Sequence, residues 1–241
     1  MHLLLTRPDT GEPDALHAAL AEAGHHITNA PLLTVTPAGA MPPLDGVQGL
    51  IATSRNGLKA VAPLPAAALA LPLFAVGPAT ASLARTLGFR KVIEGPGTGR
   101  ELAEAITSTV DPAAGALVHL AGDTLAYDIK GALEAKGFTV RTEVVYRSEP
   151  VAGFTPEVAD TFRRDSLDGV VLMSPRTAKV YGKLVADAAL TAEAAELVYF
   201  CLSEAVAREL AVLGSVRIEV APSPNSQEML ALIAREASDS A

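Results

Sequence analysis

What the chain has little of narrows its function before any motif is read. A single cysteine, Cys201, excludes an internal disulfide, fits a reducing compartment and, with no histidine nearby in sequence, reads as a small core residue. Long apolar runs are missing. The most apolar region, residues 60–76, is interrupted by Pro63, Pro65 and Pro72, and it reads as a helix end, a loop and a strand rather than a membrane span. At the start, MHLLLTRPD offers only a short apolar stretch before an arginine and a proline, so an export signal is not expected and a cytoplasmic location is. Positive charge is in deficit: 19 Lys and Arg against 27 Asp and Glu leave −8 at pH 7. This disfavours a broad nucleic-acid or membrane surface but leaves room for a local basic cleft around a small partner. Metal binding has no cluster to rest on, because His25 and His26 are adjacent and cannot both face one ion from a strand. GPGTG, Gly95 to Gly99, lacks both the Walker lysine and the dinucleotide spacing, so it reads as a turn near a ligand.

What is present is a repeated alternation of short apolar runs with helical patterns. The 241 residues, 49% of them hydrophobic, suffice for two cores. HLLLT is a strand, TRPDTGEP a turn, and the next segment a helix with Leu16, Leu20 and Ala23 on one face, closed by Gly24. HHITNAP is a second strand and LLTVTP an extended run. GLIAT is a strand, SRNG a turn, and a brief helix starts at Leu58. PLFAV then leads into GPATASLARTLGF, where Leu83 and Leu87 lie one turn apart, and KVIE into a helix with Leu102 and Ile106. From Ala116 the order returns. ALVHLAGD precedes a helix with Ile129 and Leu133, closed by Gly137, and then FTVRTEVVY. GVVLMSPRTAKVYGKL echoes GLIATSRNGLKAV, with Ser174 where Ser54 stood. VYFCLSEAVARELAVLG echoes FAVGPATASLARTLG, with Val206, Leu210 and Leu213 at helical spacing, and RIEVAPSPNSQEMLALI echoes KVIEGPGTGRELAEAI. The duplication implies two similar α/β lobes, each a parallel sheet flanked by helices.

In such sheets ligands bind at the carboxyl ends of the strands, where helix N-termini present free N–H groups to anions. Polar residues recur there: Thr6 and Arg7, Ser54 and Arg55, Thr80, Ser174 and Arg176, and Ser203. One Ser or Thr beside a helix start is an ordinary N-cap. Several at matching positions, with arginines close by, suit a ligand carrying many carboxylates or phosphates, held where the two lobes present these ends to each other.

LLLTRP, ATSRNG, AVGPATASLARTLG, VVYRSEP, MSPRT and FCLSEAVA, in this order across nearly the whole chain, together resemble uroporphyrinogen-III synthase. The resemblance implies a cofactor- and metal-independent lyase that closes the linear tetrapyrrole hydroxymethylbilane with inversion of its last ring and loss of water. It implies two flavodoxin-like lobes, residues 1–33 plus 152–241 and residues 40–143, joined by connector strands at 34–39 and 144–151. It also places Tyr146 as the catalytic proton donor, with Arg7, Ser54, Thr80, Ser174, Ser203 and Arg147 around the substrate. A monomer is expected, with hydroxymethylbilane synthase as the upstream donor. Many relatives carry an arginine beside the glycine after the first strand of the second repeat, where this chain reads Ala121-Gly122-Asp123. The alternative is a bilobed protein of the same fold that binds an anion or tetrapyrrole, or regulates, without catalysis.

Overall fold

Strands form where the apolar runs were read, and most are short. The computed structural model describes residues 1–7, 15–164 and 166–239, so most of the predicted TRPDTGEP turn lies outside the described residues. The strands are β1 (His2–Leu5), β2 (His26–Asn29), β3 (Leu33–Pro37), β4 (Val47–Ala52), β5 (Leu73–Ala75) and β6 (Val92–Glu94). They continue with β7 (Ala116–Gly122), β8 (Thr139–Pro150), β9 (Gly169–Leu172), β10 (Val198–Cys201) and β11 (Arg217–Val220). The helices of the first half are α1 (Ala15–Glu22), α2 (Arg55–Ala60), α3 (Ala66–Ala70), α4 (Pro78–Thr86) and α5 (Gly99–Thr109). Those of the second are α6 (Ile129–Glu134), α7 (Pro156–Arg163), α8 (Pro175–Asp187), α9 (Thr191–Ala195), α10 (Glu204–Arg208) and α11 (Ser226–Asp239).

Two compact units result, one of Met1–Thr34 with Glu149–Ala241 and one of Val35–Ser148. The first carries a sheet in the order β2-β1-β9-β10-β11, with every pair parallel. The second carries β8-β7-β4-β5-β6, also parallel, with β3 added beside β8. Each unit thus has two adjacent strands from one repeat and three from the other, in the doubly wound order 2-1-3-4-5. Central strands such as Gly169–Leu172 are buried along their full length, as a parallel sheet covered on both faces requires. In the first unit Leu4, Val170 and Leu172 pack with α7 and α8 on one face. Leu3, Leu5 and Val171 pack with α1 and α11 on the other. In the second unit Leu50, Val118 and Leu120 meet α2 and α4, whereas Ile51, Leu117 and Val140 meet α5 and α6.

The structure revises several local readings. SRNG is the start of α2 rather than a turn before it: Ser54 is extended and its oxygen accepts the Asn56 N–H at 3.1 Å. Gly57 then lets the helix lie against β7, since a Cβ there would come within 2.5 Å of the Leu120 carbonyl oxygen. In α4 it is Thr80, Ala81 and Ala84 that are buried, with Leu83 and Leu87 half-buried at the flank. Ala23 is exposed just beyond the end of α1. Val206, Leu210 and Leu213 are all buried, but the α-helix tightens into a 3-10 turn at Glu209–Leu213.

One polar feature crosses the apolar core of the first unit. Tyr181 and Tyr199 are fully buried, with their hydroxyls 3.1 Å apart, and the Tyr199 hydroxyl donates to the Ala194 carbonyl at 2.8 Å. That donation leaves the Tyr181 hydroxyl to donate to Tyr199. Burial pushes both phenols above their ordinary range, Tyr199 to about 12. Tyr199→Phe strands both a buried hydroxyl and a carbonyl, and is expected to cost about 1–3 kcal/mol. Tyr181→Phe removes only the terminal donor and is expected to cost less. Urea unfolding of the two variants gives the comparison; equal losses would count against this direction of donation.

Candidate active site

In a 2-1-3-4-5 sheet the crevice opens between strands 1 and 3, because the loops that leave them run to helices on opposite faces. In the first unit those strands are β1 and β9, followed by Thr6-Arg7 and by Met173-Ser174. In the second they are β7, which ends at Gly122 and is followed by Asp123, and β4, followed by Thr53-Ser54. Arg7, Ser174 and Ser54 therefore stand at these two switch points. Tyr146 and Arg147 lie on β8, one strand further out, where Tyr146 pairs with Gly122. Thr80 and Ser203 follow β5 and β10, one strand out on the other side.

The cap serines differ in what their side chains do. Ser174 caps α8: its oxygen accepts the Thr177 N–H at 3.1 Å and lies 2.7 Å from the Thr177 hydroxyl. Ser54 caps α2 in the same way. Accepting a backbone N–H fixes the serine oxygen while its own proton remains available to an acceptor such as a carboxylate. Ser203 stands at the cap of α10 without a side-chain cap hydrogen bond. Its counterpart in the second unit is Gly77, the cap residue of α4. Thr80, three residues into that helix, is only 5% exposed and corresponds to the buried Val206. Thr6 is fully buried and donates to the Val171 carbonyl at 2.8 Å, so its hydroxyl ties β1 to β9. Arg7 is half-buried and Arg147 exposed.

GPGTG is a packing turn. The Cβ of a residue at position 77 would lie 3.4 Å from the Gly97 Cα, and one at Gly95 would lie 3.1 Å from the carbonyls of Ala75 and Val76. The N-terminus of α5 is filled from within by a capping box. Thr98 accepts the Glu101 N–H at 3.3 Å, and the Glu101 carboxylate accepts the Thr98 N–H at 3.2 Å and its hydroxyl at 2.7 Å. The Glu101 carboxylate also brings negative charge to this helix start, which disfavours an anion there.

Two buried groups lie close to these strand ends. His119 on β7 is 1% exposed; its Nε2 is 2.8 Å from the Thr53 hydroxyl and its Nδ1 has no hydrogen-bond partner. Burial holds its imidazole down to about 4. Cys201, at the end of β10, is fully buried, and burial followed by the nearby Glu204 charge pushes its thiol up to about 12. Such a thiol does not supply a thiolate nucleophile at neutral pH. Among the described residues no group of three or more His, Cys, Asp or Glu side chains is placed to hold a metal ion. Sequence reasoning passed over His119, whose only signal was a histidine inside an apolar strand, and the part that Gly122 and Asp123 play beside Tyr146. The Asp123 N–H donates to the Tyr146 carbonyl at 3.1 Å, and the Asp123 carboxylate accepts the Ser148 N–H at 3.2 Å.

The profile of the family described as uroporphyrinogen-III synthase HemD matches residues 14–231. Uroporphyrinogen-III synthetase from Helicobacter pylori superposes with a TM-score of 0.66 over 98% of this chain and 99% of its own, at 14% identity. A mutant uroporphyrinogen III synthase from Thermus thermophilus gives 0.55 over 99% of each chain, at 16% identity. At these identities the two structures show a shared fold. No curated protein matches the sequence significantly.

Proposed function

The chain belongs to the uroporphyrinogen-III synthase family, and from its site we propose how it converts hydroxymethylbilane to uroporphyrinogen III. The reaction needs one bond broken selectively and one ring turned. Protonation of the terminal hydroxyl lets it leave as water, driven by the electron-rich pyrrole nitrogen, and gives an azafulvene. Attack by the substituted carbon of the last ring forms a spiro intermediate. Its fragmentation and reclosure invert that ring, and loss of a proton restores aromaticity, so the balance is substrate to product plus water. Unassisted closure at the free carbon gives the uninverted isomer. The enzyme therefore has to hold geometry and speed one departure.

Tyr146 is the proposed proton donor. The observation that carries this is its place on β8 beside Gly122, next to the switch point of the second unit. Ser54, Thr80, Ser174 and Ser203, with Arg7 and Arg147, are proposed to bind the substrate carboxylates through hydroxyls, guanidinium groups and the N–H groups of adjacent helix starts. Ser203 and Arg147 are the strongest of these, because the first has an unspent cap hydroxyl and the second is exposed. Thr80 contributes mainly through the backbone of α4, given its burial. We further propose that the chain works as a monomer in the cytoplasm and takes its substrate from hydroxymethylbilane synthase; no described helix is long and apolar enough to cross a membrane.

The test generates hydroxymethylbilane in situ, adds the purified chain without metal or cofactor, and reads the uroporphyrin isomers after oxidation. The expected result is predominantly type III. Type I formed at the spontaneous rate would leave a non-catalytic binder of the same fold.

A further inference from the structure

Strict alternation along β8 would put Tyr146 on the face opposite to the one it occupies. Val140 packs with Leu102, Ile129 and Leu133 on one side of the sheet, and positions 142, 144 and 146 would follow it there. Tyr146 instead packs with Leu58, Leu120 and Val145 on the other side. The cause is a β-bulge. Ala121 pairs with Val144 and Gly122 with Tyr146, which leaves Val145 as an extra residue and turns two consecutive side chains to one face. The Val145 carbonyl is not orphaned, because it accepts the Ala38 N–H at 2.8 Å.

The redirected ring needs a floor, and Gly122 supplies it. A Cβ at that position would lie 2.6 Å from the Tyr146 Cζ and 2.8 Å from both its Cε2 and its hydroxyl oxygen. Any side chain at 122 displaces the phenol itself rather than some distant group. Asp123 then ties down the strand just beyond the bend through its bonds to the Tyr146 carbonyl and the Ser148 N–H. Its carboxylate is thereby used on the chain's own backbone.

We propose that Gly122 and Asp123 are positioning residues which, together with the Val145 bulge, aim the Tyr146 phenol at the departing hydroxyl. This rests on Tyr146 acting as proton donor. The test is a double-mutant cycle in turnover and in stability. Gly122→Ala is expected to lower kcat to within a few-fold of Tyr146→Phe with KM nearly unchanged. Combining the two is expected to give no further loss. In a Tyr146→Ala background, which empties the contested space, Gly122→Ala is expected to leave the unfolding midpoint where it was. A normal kcat for Gly122→Ala beside an impaired Tyr146→Phe, or losses that multiply in the combination, overturns the positioning role alone. A normal Tyr146→Phe overturns the reading beneath it. Should Gly122→Ala fail to fold, Asp123→Asn, which retains an acceptor for Ser148, is expected to keep kcat where Asp123→Ala loses it several-fold. Equal behaviour of those two variants overturns the proposal.

Discussion

Tyr146→Phe turns hydroxymethylbilane over about 10²-fold more slowly than the parent chain, at a nearly unchanged KM; this is the expected result if the phenol gives up its proton only as the hydroxyl leaves. The substrate carboxylates are assigned to other side chains and to helix starts, so ground-state binding keeps most of its contacts. The phenyl ring keeps its place over Gly122, because the substitution removes one oxygen and leaves the bulge intact. A second readout comes without extra work. Spontaneous closure runs in parallel and gives the uninverted isomer, so slowing the enzyme raises the type I fraction at fixed enzyme concentration. Type III formed at the parent rate would remove Tyr146 as donor. A large rise in KM with kcat retained would make it a binding residue instead.

The second large effect is on stability in mild acid. His119 is buried with one ring nitrogen unpartnered, and burial lowers its pKa from 6.5 to about 4. Below pH 6.5 the unfolded chain takes up a proton that the folded chain refuses. Stability is therefore complete above that range, falls as pH drops from 6.5 towards 4, and levels off once both states are protonated. Keeping this imidazole neutral over that interval corresponds to about 3 kcal/mol. His2 and His25 are lowered as well, chiefly by burial, and steepen the same slope. His119→Gln removes the titration, so its unfolding free energy is expected to lose that much less between pH 7 and pH 4, whatever constant cost the substitution carries. An acid slope identical to that of the parent chain would sink the assignment. The effect belongs to unfolding and not to turnover.

The duplicated alternation of strands and helices was legible because the central strands are nearly all apolar and the repeats keep their order. Less visible were α3, α7 and α9. The first and last are alanine-rich single turns, too short to set a period. Helix α7 hides behind Thr155-Pro156, which reads as a turn until the Thr155 oxygen is seen to accept the Val158 N–H at the helix start. The candidate site was partly legible for a similar reason: Ser54 and Ser174 are cap residues, and caps leave a sequence signature. The bulge does not. Nothing in Glu143-Val144-Val145-Tyr146 announces that two neighbouring residues will share a face, since this depends on the register with β7 and on the absence of a side chain at Gly122. His119 was missed because one histidine in an apolar run has no period and its partner, Thr53, lies 66 positions away.

The mixed parentage of each sheet also sets an order of assembly. β1 pairs with β9 as well as with β2, so Leu3 finds its neighbour Gly169 only after most of the chain has been synthesised. The second unit, by contrast, is one uninterrupted segment, Val35–Ser148. On the ribosome that segment has all its strands in hand while β1, with its three consecutive leucines, still waits for its second neighbour, β9. The early unit of strand, helix and parallel strand is thus the part of the nascent chain that waits longest for its sheet to be completed.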